Sequence, residues 1–378
     1  MTPAEIIERS YLRGEHLAPL ETALRGRLEG PIITPAMALG GPALSLTAIF
    51  DALVQNLRAR YGLAEEFRVC LLDEQCRARN ACCFRLYDTY YVVLPYEIAN
   101  HLMYQAELVL TCEPFAQEFA VDPALVQITP ENFRSIPHAD GEPVIEHPPG
   151  LLSLARALGE AAMMGLMLHE LGHILHGHLG LLSTSAAIFS ESAAEVPPRQ
   201  DEWLTRQTLE FDADCFAAAQ IIRIFSEGRV LPPTIGPLVP TQAASVKIAV
   251  TAMHLMHRSF DDGETWDPTV IGASRLHPPA RLRMMLVREV GLRAIDRWLR
   301  VPPADAIWEF YAQPMVAVEQ SFALLGRRVD WLKTAEAEEV DLRAYLGRLL
   351  GRWAKLRPDL LRLKLGSVDL APAQTEPA

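Results

Sequence analysis

The sequence His169-Glu170-Leu171-Gly172-His173 constrains the fold more than any other feature of the chain. It lies in a long apolar segment, Leu151–Leu182, whose apolar residues recur with a helical period. Two histidines four residues apart share one face of a helix, so both imidazoles can bind a single cation. Glu170 points near the same side, where a carboxylate can take a proton from a metal-activated water molecule. The pattern therefore predicts a buried helix that carries two metal ligands and a general base.

The composition sets limits on the class of protein. The chain has 378 residues, of which 50% are hydrophobic and 22% charged, as in ordinary globular proteins. A net charge of −12 argues against general nucleic-acid binding, which needs a basic surface. Met1–Glu15 has no apolar signal region, and Arg156, Glu160 and Glu170 interrupt the apolar segment. We therefore expect a cytoplasmic protein with no nucleic-acid partner and no integral membrane segment; the sequence leaves the oligomeric state open.

The cysteines point to free thiols. They contain no C-x-x-C pair, and a long chain without a secretory signal keeps its cysteines reduced. A second zinc site formed by three of them, Cys70, Cys76 and Cys82, is an alternative, although their spacing differs from that of a zinc knuckle. The six cysteines are Cys70, Cys76, Cys82, Cys83, Cys112 and Cys215.

The order of the predicted elements favours an α+β fold that is mostly helical and contains a small antiparallel sheet. A helix over Ala43–Tyr61 precedes a β-rich run, Phe67–Leu72, and a hairpin formed by Ala81–Leu86 and Tyr90–Leu94. Helices follow from Tyr96 to the end of the chain, so the alternating rhythm of a doubly wound sheet is absent. The predicted later helices are Tyr96–Leu110, Leu151–Leu179, Asp201–Ile224, Thr241–Arg258, 280–300, 303–325 and 339–362.

Changes in composition and periodicity suggest where the chain divides. A helical lead-in occupies residues 1–42, and the main domain occupies residues 43–290. Within that domain, residues 113–150 are rich in proline and lack periodicity, so we expect an irregular insertion, partly ordered against the surface. A C-terminal helical region over 291–365 and a disordered tail over 366–378 complete the expected organisation.

The next predicted helix supplies candidates for a third metal ligand. A catalytic zinc ion takes three protein ligands and keeps one position open. Glu210 and Asp214 are four residues apart and share a face, and Ala213 beside them permits close approach of the histidine helix. We expect Glu210 to bind the metal and Asp214 to accept the second ring N–H of a ligating histidine. Asp212 lies on the other side of the helix and is expected to be exposed.

Other histidines have less defined roles. His176 is one turn beyond His173 and can approach the metal, although three histidines on successive turns rarely converge on one ion. His178 is expected to form a hydrogen bond in the wall of the site or to cap the helix end at Gly180. His254 and His257 lie on an apolar helix, where core or surface positions are expected.

Together, H-E-L-G-H at 169–173 and E-x-x-A-D at 210–214 resemble the signature of gluzincin metallopeptidases, in the branch of the HtpX-type and CAAX prenyl proteases and their soluble relatives. The resemblance covers about residues 45–290. A looser resemblance links the same motifs to the phage-exclusion metalloproteases of the Lit type, and the motifs do not separate the two groups. Three further segments look like the first branch: His178, nine residues after His169; Asn80-Ala81, at the start of the hairpin; and His277-Pro278-Pro279 with Arg283.

The resemblance implies a zincin-like fold and a zinc-dependent endopeptidase that hydrolyses peptide bonds in a protein or peptide substrate. Glu170 would be the general base, and the zinc ligands would be His169, His173 and Glu210. His277 would act in catalysis by donating to an oxyanion or by supporting the site. Asp214, His178 and Arg283 would then support the ligands; Arg283 would pair with the carboxylates near the metal or, as an alternative, lie on the surface.

The predicted peptidase activity also suggests where a substrate would bind. Tyr90–Leu94 would form the edge of the cleft and pair with an extended substrate. Residues 113–150 and 183–199 are candidate lids.

Two alternatives stay open: a non-proteolytic zinc-binding protein with an interaction or regulatory role, and a protease with a single target in stress or phage defence.

Overall fold

The computed structural model describes most of the chain. Asn80 and His277-Pro278-Pro279 lie outside the described residues, so the roles expected of them remain predictions. The described residues are 2–25, 30–73, 81–119, 124, 126–132, 138–139, 142–145, 149–182, 189–190, 200–228, 241–260, 280–327 and 339–371.

The fold is α+β and mostly helical, which confirms the predicted fold class. The strands are β1 (Glu66–Leu72), β2 (Cys82–Leu86), β3 (Thr89–Pro95), β4 (His138–Ala139), β5 (Glu142–Pro143) and β6 (Phe189–Ser190). The helices are α1 (Pro3–Ser10), α2 (Leu17–Leu24), α3 (Gly41–Tyr61), α4 (Tyr96–Thr111), α5 (Glu113–Glu118), α6 (Pro149–Leu175), α7 (His178–Leu181), α8 (Gln200–Glu227), α9 (Gln242–Ser259), α10 (Ala280–Leu299), α11 (Pro303–Ala306), α12 (Gln313–Leu324) and α13 (Glu339–Leu363). A π-helical turn at Ile307–Ala312 joins α11 to α12.

The main sheet is mixed, with the strand order β1-β3-β2-β6. The hairpin of β2 and β3 is antiparallel, as predicted, but β1 pairs with β3 in parallel. The prediction of a purely antiparallel sheet is therefore wrong for β1. Phe67–Leu72 is buried along its whole length, which is typical of a parallel strand covered on both faces. Tyr90–Val93 in β3 is hydrogen-bonded on both sides, so this strand is not the edge of a cleft, contrary to expectation.

One hydrophobic core joins the parts that the sequence suggested were separate. Its buried residues extend from Ile7 near the start of the chain to Leu370 near the end. The boundaries expected at residues 42 and 290 fall inside α3 and α10. Tyr11 from the lead-in and Trp353 from the C-terminal helices both contribute to the same core. These two regions therefore complete the main domain.

The expected insertion and tail both contain ordered parts. Within 113–150 the chain forms α5, and Phe115 on this helix is buried in the main core rather than lying on the surface. The tail expected to be disordered from residue 366 is ordered through Ala371, because Val368 and Leu370 are buried. The backbone N–H of Ser367 donates to the carbonyl of Tyr61 over 2.9 Å. Two buried apolar side chains, together with hydrogen bonds from Trp353 and Arg357 to the carbonyl of Ala371, attach this segment.

Helix α6 lies at the centre of the fold. It packs against α4, α8 and α9, and against β2 of the sheet. By length and composition it is the one helix of the described residues that is apolar enough to cross a membrane, but 78% of its most apolar window is buried within the protein. Such burial is typical of the core helix of a soluble protein. The centre of the molecule therefore carries the H-E-x-x-H sequence.

Candidate metal centre

Helices α6 and α8 are in close contact where the site forms. A Cβ atom added to Gly172 on α6 would lie 3.2 Å from both the Cα of Ala213 and the Cδ1 of Phe216 on α8. Only a residue without a side chain fits here unless the backbone of α8 moves. The small residues at positions 172 and 213 thus bring the histidines of one helix up to the carboxylates of the other.

Three donors converge at this contact. The Nε2 atoms of His169 and His173 are 3.1 Å apart. Glu210 Oε2 lies 3.2 Å from Nε2 of His169, and Glu210 Oε1 lies 3.4 Å from Nε2 of His173. All three side chains are between 1% and 2% exposed. The structure therefore brings the three predicted ligands together as a buried group that can hold a metal ion.

Asp214 and Arg283 stand behind His169. Asp214 Oδ1 lies 2.9 Å from His169 Nδ1, the ring nitrogen that faces away from Glu210. Arg283 donates to both oxygens of Asp214, from Nε over 2.8 Å and from Nη2 over 2.9 Å. Burial would raise the pKa of Asp214, but Arg283 and His169 outweigh it and hold that pKa below its usual range. Asp214 is thus a charged acceptor that fixes the ring of His169.

A different group stands behind His173. Its Nδ1 lies 2.9 Å from Nδ1 of His178, and Nε2 of His178 lies 3.1 Å from Asp212 Oδ2. His176 Nδ1 contacts the same carboxylate oxygen. The expectation that Asp212 is exposed is wrong, because its side chain is buried under the two histidines. Gly177, with a φ of 81°, makes the turn that places His178 above α8.

Burial and charge determine the protonation of the histidines. Burial lowers the pKa of His173 to about 3, against the opposing influence of Glu210. Burial also lowers the pKa of His178, although Asp212 opposes this change. For His169 the carboxylates of Asp214 and Glu210 outweigh burial and raise the pKa well above its usual value. His173 and His178 are therefore neutral imidazoles, each with one nitrogen able to accept or to bind a metal.

The general-base candidate Glu170 contacts the sheet. The thiol of Cys83 on β2 lies near the carboxylate of Glu170. Burial, followed by the nearby carboxylate of Glu170, raises the pKa of Cys83 well above its usual value, so the thiol stays protonated. Cys83 was not among the residues predicted for the site. Its position in a hydrophobic strand next to another cysteine carried no signal of this contact.

His257 on α9 lies near the arginine side of the site. It is fully buried, and burial lowers its pKa to about 3, with Asp214 opposing and Arg283 and His169 reinforcing the change. His254, on the same helix, instead faces Glu319, whose Oε1 is 3.0 Å from its Nε2. Both are core histidines, and His257 is close enough to Asp214, Arg283 and His169 for their charges to affect its pKa.

Comparison of the chain with protein-family models, with curated proteins and with solved structures found no match in any of the three. Functional proposals for this chain therefore rest on its own residues and their geometry.

Proposed function

We propose that this protein is a zinc-dependent endopeptidase of the gluzincin type. The observation that carries the proposal is the convergence of His169, His173 and Glu210, with Glu170 buried next to His169 on the same helix. Two ligands about 2.0–2.1 Å from a tetrahedral zinc ion are about 3.3–3.4 Å apart. The three separations between the donor atoms, 3.1, 3.2 and 3.4 Å, are close to this value. Two imidazoles and one carboxylate are also a donor set found in zinc hydrolases.

The charges around the site favour a divalent cation. Glu170, Glu210 and Asp214 bring three carboxylates into a buried volume, and Arg283 pairs with Asp214. Buried charges are stabilised by opposite charges nearby, so a cation bound at Glu210 would stabilise this group. When bound, zinc would supply a Lewis acid that polarises a water molecule and the scissile carbonyl.

The side chains then have distinct tasks in peptide hydrolysis. Glu170 takes a proton from the attacking water and returns it to the leaving nitrogen. The protonated thiol of Cys83 lies beside the carboxylate of Glu170 and can donate to it. Asp214 accepts from Nδ1 of His169, so a metal ion that displaces the proton from Nε2 would be bound by that nitrogen. Each of these groups is fixed in the fold before a substrate arrives.

Substrate access involves the edge of the sheet. Strand β2 carries Cys83, and β6 pairs with it antiparallel at Cys82 and Cys83. An extended peptide that added to β2 beside Glu170 would therefore take the position of β6. Apart from Phe189–Ser190, the candidate lid at 183–199 lies outside the described residues. In this arrangement β6 must leave β2 before a substrate binds. Such a requirement would suit a protease with few targets, in stress or phage defence.

A second candidate function is a metal-binding protein without peptidase activity. The observation that favours it is burial, since Glu170 is only 2% exposed. However, a structural zinc site is normally closed by four protein ligands. In the described part of the chain the metal group contains three: His169, His173 and Glu210. A three-ligand group next to a carboxylate favours the hydrolytic proposal.

The variant Glu170→Gln tests the peptidase proposal. It keeps the shape of the side chain but removes the base, so we expect stoichiometric zinc and a loss of cleavage of about 10²–10⁴-fold. Cleavage is followed with a fluorogenic peptide library and by comparing the proteomes of cells that express either form. The control is Glu160→Gln on the same helix, whose side chain pairs with Arg156 away from the site.

Two results would decide against the peptidase. Activity that survives in Glu170→Gln would rule out its role as the base. Wild-type and Glu170→Gln proteins that bind zinc equally but cleave no peptide and no cellular protein would favour the metal-binding alternative.

A further inference from the structure

We infer that Asp212 acts through His178 to fix the tautomer and the orientation of His173. In this account His176, His178 and Asp212 form a hydrogen-bonded relay rather than a second metal site. The inference rests on the proposed function in one respect, the presence of a metal ion at His169, His173 and Glu210.

The proton positions follow from the ligand. His173 presents Nε2 to the other donors, at 3.4 Å from Glu210 Oε1, and presents Nδ1 to His178. A neutral imidazole that binds a metal through Nε2 carries its proton on Nδ1. That proton is donated over 2.9 Å to Nδ1 of His178. His178 must then carry its own proton on Nε2, which faces Asp212 Oδ2 at 3.1 Å. Every donor in the series meets an acceptor.

The same atoms exclude simultaneous occupation of a second metal site. His176, His178 and Asp212 are all buried, and their donor atoms lie within 4.8 Å of one another. Metal binding through Nε2 of His178 would move its proton to Nδ1. That N–H would then face the Nδ1–H of His173 over 2.9 Å, with no acceptor between them. With neutral imidazoles, one metal ion at His173 therefore excludes another at His178.

The contacts of Asp212 are also those of a hydrogen-bonded group and not of a metal site. His176 Nδ1 and Asp212 Oδ2 are in hydrogen-bond contact, closer than the separation of about 3.3–3.4 Å between two ligands of one zinc ion. A buried carboxylate needs donors, and His176 and His178 each supply one N–H. His176 also packs its ring edge-on against Phe216, with the centroids 5.0 Å apart. His176 thus holds Asp212 in place for His178.

Metal affinity and spectroscopy of two His178 variants test the relay. His178→Phe removes the acceptor for His173, so we expect zinc affinity to fall about 10–100-fold. The visible spectrum of the cobalt(II)-substituted variant should change with it. His178→Asn places a carbonyl oxygen near the former Nδ1 and should recover most of the affinity. The matched control is His254→Phe, which removes another buried histidine hydrogen-bonded to a carboxylate but leaves the metal group intact.

The ring ¹⁵N signals of His178 give a second measurement on the intact zinc-loaded protein. We expect the proton on Nε2; a proton on Nδ1 would overturn the relay. Two zinc ions per wild-type chain, or unchanged affinity and cobalt spectrum in His178→Phe, would also overturn it. If only the peptidase proposal fails, the protein would cleave no substrate, but its zinc affinity would still change in the His178 variants. A wild-type chain that binds no zinc at His173 would end both proposals.

Discussion

The two candidate metal ligands on α6, His169 and His173, are held by two different kinds of group. Behind His169 stands a charged carboxylate whose own charge is neutralised by a guanidinium. Behind His173, the neutral imidazole of His178 lies between the ligand and the carboxylate of Asp212. We name these groups the arginine arm (His169, Asp214 and Arg283) and the histidine arm (His173, His178, Asp212 and His176).

The two arms should therefore differ in what they contribute, one to the stability of the fold and the other to the geometry of a ligand. A buried ion pair leaves an uncompensated charge when one partner is removed, at a cost of about 3–5 kcal/mol. A hydrogen bond to a charged group contributes about 1.5–3 kcal/mol. The arginine arm should therefore contribute more to the free energy of unfolding. The histidine arm should act mainly on the orientation of one ligand.

Arg283→Leu should have the largest effect on stability. It removes the guanidinium that donates to both oxygens of the buried Asp214, so we expect the free energy of unfolding to fall by about 3–5 kcal/mol. His176→Phe in the histidine arm should cost about 1.5–3 kcal/mol, because it removes one donor to Asp212. Denaturant unfolding with a chelator present measures both without a contribution from metal binding.

The control for this comparison is Arg293→Leu. Arg293 lies on the same helix, α10, but its side chain is exposed, so the change should stay within about 0.5 kcal/mol. An equal loss for Arg283→Leu and His176→Phe would remove the energetic distinction between the arms.

Gly172→Ala should affect both arms together. The new Cβ would meet the backbone of Ala213 at 3.2 Å, so α8 must move away from α6. We expect a loss of about 1–3 kcal/mol in unfolding free energy and weaker zinc binding. In Gly165→Ala, the control on the same helix, the Cβ meets the flexible side chain of Met253, which can move aside. Zinc affinity that is unchanged in Gly172→Ala would show that the helix contact does not set the ligand positions.

Asp214→Asn and Asp212→Asn compare the arms by metal affinity. We expect Asp214→Asn to weaken zinc binding about 10–100-fold, because it touches the ligand directly. Asp212→Asn should cost less than this, since His178 still accepts from His173. Competition with a chromophoric chelator measures both constants. A larger loss for Asp212→Asn would reverse the expected order of the arms.

The local periodicity of the sequence predicted the centre of the site. His169, His173, Glu210 and Asp214 were identified because positions four apart on a helix share a face, and this geometry does not depend on the rest of the fold. The helix α6 and the hairpin of β2 and β3 followed from apolar patterns of the same local kind. Arg283 was connected to the carboxylates only through the family resemblance.

The contacts that the sequence did not reveal depend on tertiary structure. Asp212 is buried because Gly177 turns the chain and places His178 above α8. The contact between Cys83 and Glu170 depends on where the sheet packs against α6. The parallel pairing of β1 also had no local signal, because side-chain alternation is the same in parallel and antiparallel strands. Helical or strand periodicity alone does not specify such contacts.

X-ray absorption at the zinc edge of the purified, zinc-loaded protein tests whether His169, His173 and Glu210 hold a zinc ion. We expect one zinc ion per chain, bound by two imidazole nitrogens and carboxylate or water oxygens at about 2.0–2.2 Å. The signal should disappear in His173→Ala. Sulfur in the coordination shell at about 2.3 Å, or a spectrum unchanged in His173→Ala, would contradict the proposed site.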